Sequence, residues 1–327
     1  MQLFKYFILT TLLTFFLHAN EDRPPIAYNY LNKKEVQSFI NMMVNKYHFK
    51  RSYMTSVLKS AKLDRDTLAR YSGRFKKNTT VGTWERFKLH VVNPETFEEA
   101  RAFKKTHYAT LKKAAMRYKV DMNYIVGFLG VESHFGNYTG DYNILDALAT
   151  LAFHPNRMKK LFKNEIKHLF LFAREKGYNI KNLEGSFAGA MGCVQQLPSI
   201  ARKFNYDFDG DGASVWDIED CIGSIAKFMH TNGWRNGRVV AVPTHFSGKR
   251  FRRLKTSHRR TIPTNSILRA GVKPLKPFNE PRAYLIKTRN KTHDDVWMAG
   301  RNFRVLTRYN NAATYGMAIH LIAQEVK

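Results

Sequence analysis

The chain has 327 residues and a formal net charge of +28, from 54 Lys plus Arg against 26 Asp plus Glu. A hydrophobic share of 44% with 13% aromatics supports a buried core and excludes long disorder. Two cysteines exclude a disulfide scaffold and a zinc site built mainly on thiolates, and the charge excess points to nucleic acid, an anionic membrane surface or an acidic polymer as partner.

Residues 1–19 have the pattern of a secretory signal peptide. Lys5 is near the start, the twelve residues from Tyr6 to Leu17 are apolar apart from three threonines, and Ala19 precedes Asn20-Glu21-Asp22-Arg23. The run is short for a membrane span of roughly 20 residues; an uncleaved anchor is the alternative. No cysteine lies near the cut, which argues against a bacterial lipid anchor. Export to the periplasm argues against nucleic acid and puts the acidic partner outside the cytoplasm.

The pattern from there is mostly helical. Lys33 to Val44 and Ser52 to Tyr71 read as short helices. Asn93-Pro94-Glu95 is a helix start: a capping residue, Pro at the first helical position, then an acid. Phe97, Ala100, His107, Leu111, Ala114 and Tyr118 continue it at helical spacing. Asp121 is placed to cap the next helix and Gly136 to end it. Further helices are expected from about Asn156 to Lys176, with Gly177 as the stop, and from about Ile218 to Thr231, with Gly233 as the stop.

Residues 238–304 differ. They hold 17 Lys plus Arg against three acidic residues, a net of +14. Pro, Thr, Val and Tyr are common and long apolar helical stripes are absent, so a small β-rich or irregular subdomain is expected. The alternative is a disordered basic loop. The helical pattern returns at Asn311 to Val326, which makes the segment an insertion. The expected organisation is thus 1–19 signal, 20–237 helical core, 238–304 basic insert and 305–327 returning helix.

Candidate chemistry centres on Glu132. Tyr124 to Gly136 is a nearly all-apolar helix ending in Glu132-Ser133-His134-Phe135-Gly136, and a helix apolar all round is buried. Glu132 is expected to leave the core at the helix end. Apolar surroundings and the negative end of the helix dipole both favour its protonated form, which is what glycosidic-bond cleavage needs of a general acid. The bland alternative is a glutamate that caps or salt-bridges a helix end. Glu184 to Ser199 is rich in small residues with isolated polar ones: Gly185, Gly189 and Gly192 permit close backbone approach or a cleft floor, and Ser186 and Gln195 offer polar groups to it.

Here the sequence resembles the lytic transglycosylase B family of murein-cleaving enzymes. The resemblance rests on GVESHFG at the helix end, ILDALATLAF after it, GSFAGAMGxxQ for the cleft and RYNNAATY near the C-terminus, in family order over roughly residues 84–327. It implies a mainly α protein, a lysozyme-like helical core with the basic subdomain inserted near the C-terminus. It implies a monomer acting on peptidoglycan glycan strands. It implies Glu132 as sole catalytic acid and base, with Ser186, Gln195, Tyr309, Asn310 and Tyr315 lining the glycan cleft and Arg157 at the position of a cleft arginine. Phe87 and Phe228 fall where the family usually has tyrosines, so ring stacking survives there and a hydroxyl contact does not. Cys193 and Val194 replace a usual Tyr-Gly pair. No cofactor is implied for catalysis. A usual hydrolase would need a second carboxylate; Asp141 and Asp146 are the near candidates, and Asp146 reads more simply as a polar residue within a helix. The alternatives to lytic cleavage are a water-using muramidase on the same fold and a non-catalytic glycan- or envelope-binding protein.

Asp207-Phe208-Asp209-Gly210-Asp211-Gly212 fits the start of a calcium loop, with oxygens at positions 1, 3 and 5 and a turn glycine at 6. Position 12 is Ile218 rather than glutamate. Related transglycosylases carry a longer loop closed by an aspartate, which would make Asp207, Asp209, Asp211, Asp220 and the Ala213 carbonyl the ligands of a structural Ca2+ in a loop over 207–220. The alternative is an acidic turn without metal. Lys249 to Arg260 carries seven basic residues and no acid. It is either a solvated surface or a site for stem-peptide carboxylates or an anionic envelope surface.

Overall fold

The computed structural model describes residues 23–72 and 82–327. The signal-like segment lies outside them. In chain order come α1 (Lys34–Tyr47), α2 (Arg51–Ser60), α3 (Arg65–Ser72), α4 (Thr83–Val91), α5 (Pro94–Thr106), α6 (Tyr108–Tyr118) and α7 (Met122–Ser133). They are followed by α8 (Ile144–Phe153), α9 (Lys159–Lys176), α10 (Pro198–Phe204), α11 (Ile218–Thr231), α12 (Thr264–Arg269), α13 (Arg301–Tyr309) and α14 (Ala313–Glu325). Strand β1 (Ile26–Ala27) pairs antiparallel with β2 (Lys62–Leu63), and β3 (Tyr142–Asn143) with β4 (Glu184–Gly185). Strands β5 (Ala241–Phe246), β6 (Ile262–Pro263), β7 (Val272–Pro274), β8 (Arg282–Arg289) and β9 (Asp294–Ala299) form an antiparallel sheet in the order β6-β8-β9-β5-β7.

The described residues fall into two compact units, one of 82–136 and 221–327, the other of 23–72 and 137–220. In the first, α7 is buried along its length from Tyr124 to Ser133, and α14 packs along it. Gly127 permits this approach: a Cβ there would lie 2.6 Å from the Ile319 carbonyl oxygen. The basic insert is ordered around its sheet. Val242, Ile267, Val272, Ala283, Leu285, Val296 and Met298 form its core, and Phe251 and Leu254 of the basic run pack against that core.

The second unit is built on α8 against α9, with Phe39, Phe153, Phe162 and Phe170 in its core. Thr150 of α8 shares a hydrogen bond of 3.1 Å with the Tyr30 hydroxyl and accepts the Asp64 amide at 2.9 Å. Asp146, read from sequence as a polar residue within a helix, accepts the Lys62 amide at 2.7 Å and so pins β2 onto α8. Neither cysteine is free; Cys193 and Cys221 are disulfide-bonded.

The local capping signals are realised. Asn93 accepts the Thr96 amide, Asp121 the Asn123 amide, and Gly177 closes α9 at φ +70°. Several expected boundaries moved. Ser52 to Tyr71 is two helices, because Lys62 and Leu63 leave the helix to pair with β1 and the Asp64 carboxylate restarts it by accepting the Thr67 amide. The helix after Asn93 breaks at His107, whose backbone (φ −102°, ψ 22°) is neither α nor β. The start expected near Asn156 falls at Lys159, because the Asn156 side chain ties a turn by bonding the Leu151 and His154 carbonyls and the Met158 amide. The stop of α7 is His134, at φ +46°, two residues before Gly136. The last helical stretch starts at Arg301 and breaks at Asn310, which is extended.

Candidate active site

Glu132 sits in the last turn of α7. It does not leave the core as expected: the residue is 2% exposed. The Tyr315 hydroxyl, from the first turn of α14, donates to its Oε1, while Oε2 is buried and has no hydrogen-bond partner. Burial pushes the carboxyl up to about 8 from an ordinary value of 4.5, and the Tyr315 bond draws it part of the way back. Tyr315 is itself raised by burial and by the facing carboxyl, so it remains a phenol and a donor. With Oε1 accepting from Tyr315, Oε2 is the carboxyl oxygen without a protein partner.

Rings cluster around Tyr315, the acid's partner. Tyr309 and Tyr315 lie nearly parallel, 6.4 Å between centroids at 7°. Phe128 of α7 meets both edge-on, and Phe228 of α11 meets Tyr309 edge-on at 4.9 Å. Burial is the physical cause of the raised carboxyl. Asn310, between the two tyrosines in the motif, is buried. Phe87 of α4 is half-buried and stacks on Trp84 at 5.9 Å. The first unit therefore brings Glu132, Phe228, Tyr309 and Tyr315 into one cluster.

Ser186, Gln195 and Arg157 belong to the second unit. The stretch after β4 is a series of turns. The Ser186 hydroxyl accepts the Ala190 amide at 3.0 Å, and Gln195, at φ +46°, donates Nε2 to the carbonyls of Thr139 (2.8 Å) and Gly192 (3.0 Å). The glycines serve close approach as expected: at Gly192 (φ +69°) a Cβ would fall 1.8 Å from the Val215 carbonyl oxygen. The Arg157 guanidinium bonds the carbonyls of Arg70 and Tyr71 at 3.2 and 3.1 Å and lies over the Tyr71 ring. Asp141 and Asp146 line a cavity of about 410 Å³ in this unit, together with Asp64, Asp66 and Glu184; Glu132 is not among its lining residues.

The acidic loop gathers only part of the expected set. Carboxylate oxygens of Asp207, Asp209 and Asp220 lie within 4.8 Å of one another. Asp220 is buried and accepts the amides of Phe208 (2.6 Å) and Ser214 (2.7 Å). Asp211 stays exposed outside this group, its carboxyl raised chiefly by the charge of Asp209. The Ala213 carbonyl is taken by the Lys176 ammonium at 2.6 Å and the Asn205 amide at 3.1 Å. Three hard oxygen donors at this separation suit a calcium ion, which takes oxygens at about 2.3–2.6 Å.

Sequence reasoning missed the bond between Tyr315 and Glu132. The two residues are 183 positions apart, and no local pattern links them. It also missed that His134, at 3.5 Å from Glu99, turns the chain at the end of α7.

A mainly helical core that holds a buried carboxyl raised to about 8 is consistent with a lysozyme-like, glycan-cleaving class. Comparison with known proteins makes this specific. Residues 31–324 match the family described as Transglycosylase SLT domain. Membrane-bound lytic murein transglycosylase B of Escherichia coli strain K12 is 32% identical over 321 residues, covering 95% of this chain and 88% of that protein. The solved structure of the Escherichia coli lytic transglycosylase SLT35 in complex with calcium matches with a TM-score of 0.83 at 31% identity, over 95% of this chain and 98% of that one. Soluble lytic transglycosylase SltB1 from Pseudomonas aeruginosa matches with a TM-score of 0.78 at 28% identity, over 89% of this chain and 98% of that one. The chain belongs to the SLT transglycosylase family and is a peptidoglycan lytic transglycosylase. The expected fold, a mainly α lysozyme-like core with a small sheet-containing basic subdomain near the C-terminus, is borne out.

Proposed function

We propose that the chain cleaves the β-1,4 bond between N-acetylmuramic acid and N-acetylglucosamine and leaves 1,6-anhydromuramoyl ends, with Glu132 as acid and then base. The observation that carries this reading is a buried carboxylic acid with one oxygen held by Tyr315 and the other without a protein partner. Glu132 gives its proton from Oε2 to the glycosidic oxygen as the bond to C1 breaks. The N-acetyl carbonyl of the muramic sugar stabilises the oxocarbenium-like centre. The carboxylate then takes the proton of the C6 hydroxyl as that oxygen closes on C1. One proton leaves Glu132 and one returns, so water is not consumed.

Tyr309, Asn310 and Tyr315 are assigned to the glycan site, with Phe87 and Phe228 offering ring faces for sugar stacking. Ser186, Gln195 and Arg157 are assigned to glycan binding within the second unit; Arg157 would serve while tied to the backbone of Arg70 and Tyr71. Asp207, Asp209 and Asp220 would hold a calcium ion, whose contribution is to neutralise the three carboxylates and stiffen the loop. Catalysis needs no cofactor in this scheme. The pattern of residues 1–19 supports export to the periplasm, and among the described residues no helix is long and apolar enough to cross a membrane.

Mass analysis of peptidoglycan digested by the purified chain tests the reading. Anhydromuramoyl ends are the expected product. Reducing ends would make the enzyme a muramidase, and absence of cleavage would remove the catalytic assignment.

A further inference from the structure

We propose that Arg259, Arg304 and Arg308, approached along the exposed cations from Lys249 to Arg260, form a binding surface for the carboxylates of peptidoglycan stem peptides. The inference rests on the glycan-cleaving reading and adds to it a site for the peptide part of the substrate.

The basic run is a shaped surface, not a loose loop. Phe251 packs on Phe246 with centroids 4.5 Å apart, Leu254 joins the sheet core, and the Ser257 amide donates to the Leu285 carbonyl at 2.8 Å. These anchors leave Lys249, Arg250, Arg252, Arg253, Lys255, Arg259 and Arg260 exposed. Among the described residues, none of these seven is paired with a carboxylate, and neither is Arg304 or Arg308.

The run ends beside the motif that carries the proposed glycan residue Asn310. Arg259 Nε donates to Asn311 Oδ1 at 2.9 Å, and His258 Nε2 meets the same oxygen at 3.0 Å. Asn311 follows Asn310, which is assigned to the glycan. Arg304 and Arg308 stand one turn apart on α13, which leads into the same motif. The Arg304 guanidinium is half-buried, and burial together with the charges of Arg308 and Arg259 lowers its pKa. These like charges gathered without a carboxylate are stabilised by an incoming anion.

Stem peptides fit better than a lipid surface. They hang from the muramic sugar whose bond the enzyme cleaves, so a cationic surface continuous with the glycan site meets them whenever a strand is bound. Between Lys249 and Arg260 no large apolar side chain is exposed, whereas an interfacial membrane anchor presents such groups to the acyl boundary.

The test is cosedimentation of the full chain with insoluble peptidoglycan in a Glu132→Gln background, which prevents cleavage during binding. Native sacculi are compared with sacculi whose carboxyls have been amidated. Native sacculi are expected to bind about five- to tenfold more tightly, an advantage that shrinks with added salt. Arg252→Gln/Arg259→Gln/Arg260→Gln should abolish the advantage, and Arg252→Gln/Arg260→Gln, which spares the Asn311 contact, should remove part of it. Circular dichroism checks folding. Equal binding to native and amidated sacculi, or an advantage retained in the triple variant, overturns the proposal. So does a triple variant that loses phosphatidylglycerol vesicles while keeping native sacculi. Failure of the catalytic reading would show separately, as a chain with Glu132 intact that yields no anhydromuramoyl product.

Discussion

The hydroxyl of Tyr315 donates to one oxygen of Glu132 and leaves the other, equally buried, without a protein partner. In the proposed mechanism that asymmetry assigns the proton to Oε2. Raised by burial, the Tyr315 phenol keeps its proton near neutrality. The mechanism proposed for Glu132 uses a proton on Oε2, the oxygen without a protein partner. One residue thus orients the acid and limits how far burial raises its pKa.

Tyr315→Phe tests that relationship. Its bond lowers the Glu132 pKa, so removing it raises the pKa further. In the wild type, kcat/KM should fall as pH rises through about 8, as the acid loses its proton. In Tyr315→Phe this falling limb should move to higher pH, with a lower plateau because Oε1 is left unbonded. A limb that stays in place or moves to lower pH would show that the bond does not act on the titrating group.

Glu132→Gln should abolish cleavage, because Gln can neither give nor take the proton; a loss beyond about 10⁴-fold is expected when one group serves twice. It should also change stability with a definite sign. The folded pKa of about 8 lies above the unfolded value of 4.5, so the native state binds the proton more tightly. The stability from this group is fully present below the unfolded value and is lost as pH rises through the folded one. Gln never ionises. Its stability relative to the wild type should rise between about pH 5 and about pH 9 by on the order of 4 kcal/mol. Urea unfolding at the two pH values measures this, and a difference independent of pH would contradict it.

The caps at Asn93 and Asp121 were legible because a side chain bonding a backbone amide two or three residues on is a local event. The basic insert was legible as β-rich or irregular from its composition and the absence of long apolar helical stripes, but not the short α12 within it. What the sequence could not show was set by distant partners. Lys62-Leu63 is a strand only because Ile26-Ala27 and Asp146 bind it. His134 ends α7 in the left-handed region without a glycine to announce it. Glu132 looked like a residue leaving the core because its cover, Tyr315, comes from α14. The Ala213 carbonyl was free on paper and is held by Lys176 and Asn205.

Gly192→Ala should destabilise the chain without touching the acid. The position has φ +69°, and the new Cβ would sit 1.8 Å from a backbone oxygen of Val215, which cannot swing away as a side chain would. A cost above about 2 kcal/mol is expected. Gly177→Ala is the control, since it too has positive φ (+70°) but nothing lies within 4 Å of its Cβ. Equal melting temperatures for the two variants would show that the contact at Gly192 relaxes freely.

Calcium should stabilise the acidic loop through three carboxylates. Asp220 is the informative position, because it is buried, raised by burial, and bonded to the amides of Phe208 and Ser214. Asn at 220 keeps one oxygen for an amide but removes the charge. Chelator-stripped protein should gain melting temperature on adding calcium, by mass action worth about 2.7 kcal/mol at a hundredfold excess over Kd. Asp220→Asn should lose most of that gain. Asp211→Asn should lose little, because Asp211 lies outside the cluster of Asp207, Asp209 and Asp220. Loss from Asp211→Asn as large as from Asp220→Asn would mean that the loop rearranges to bind through the spacing read from sequence. No thermal shift at all would leave three carboxylates and no ion.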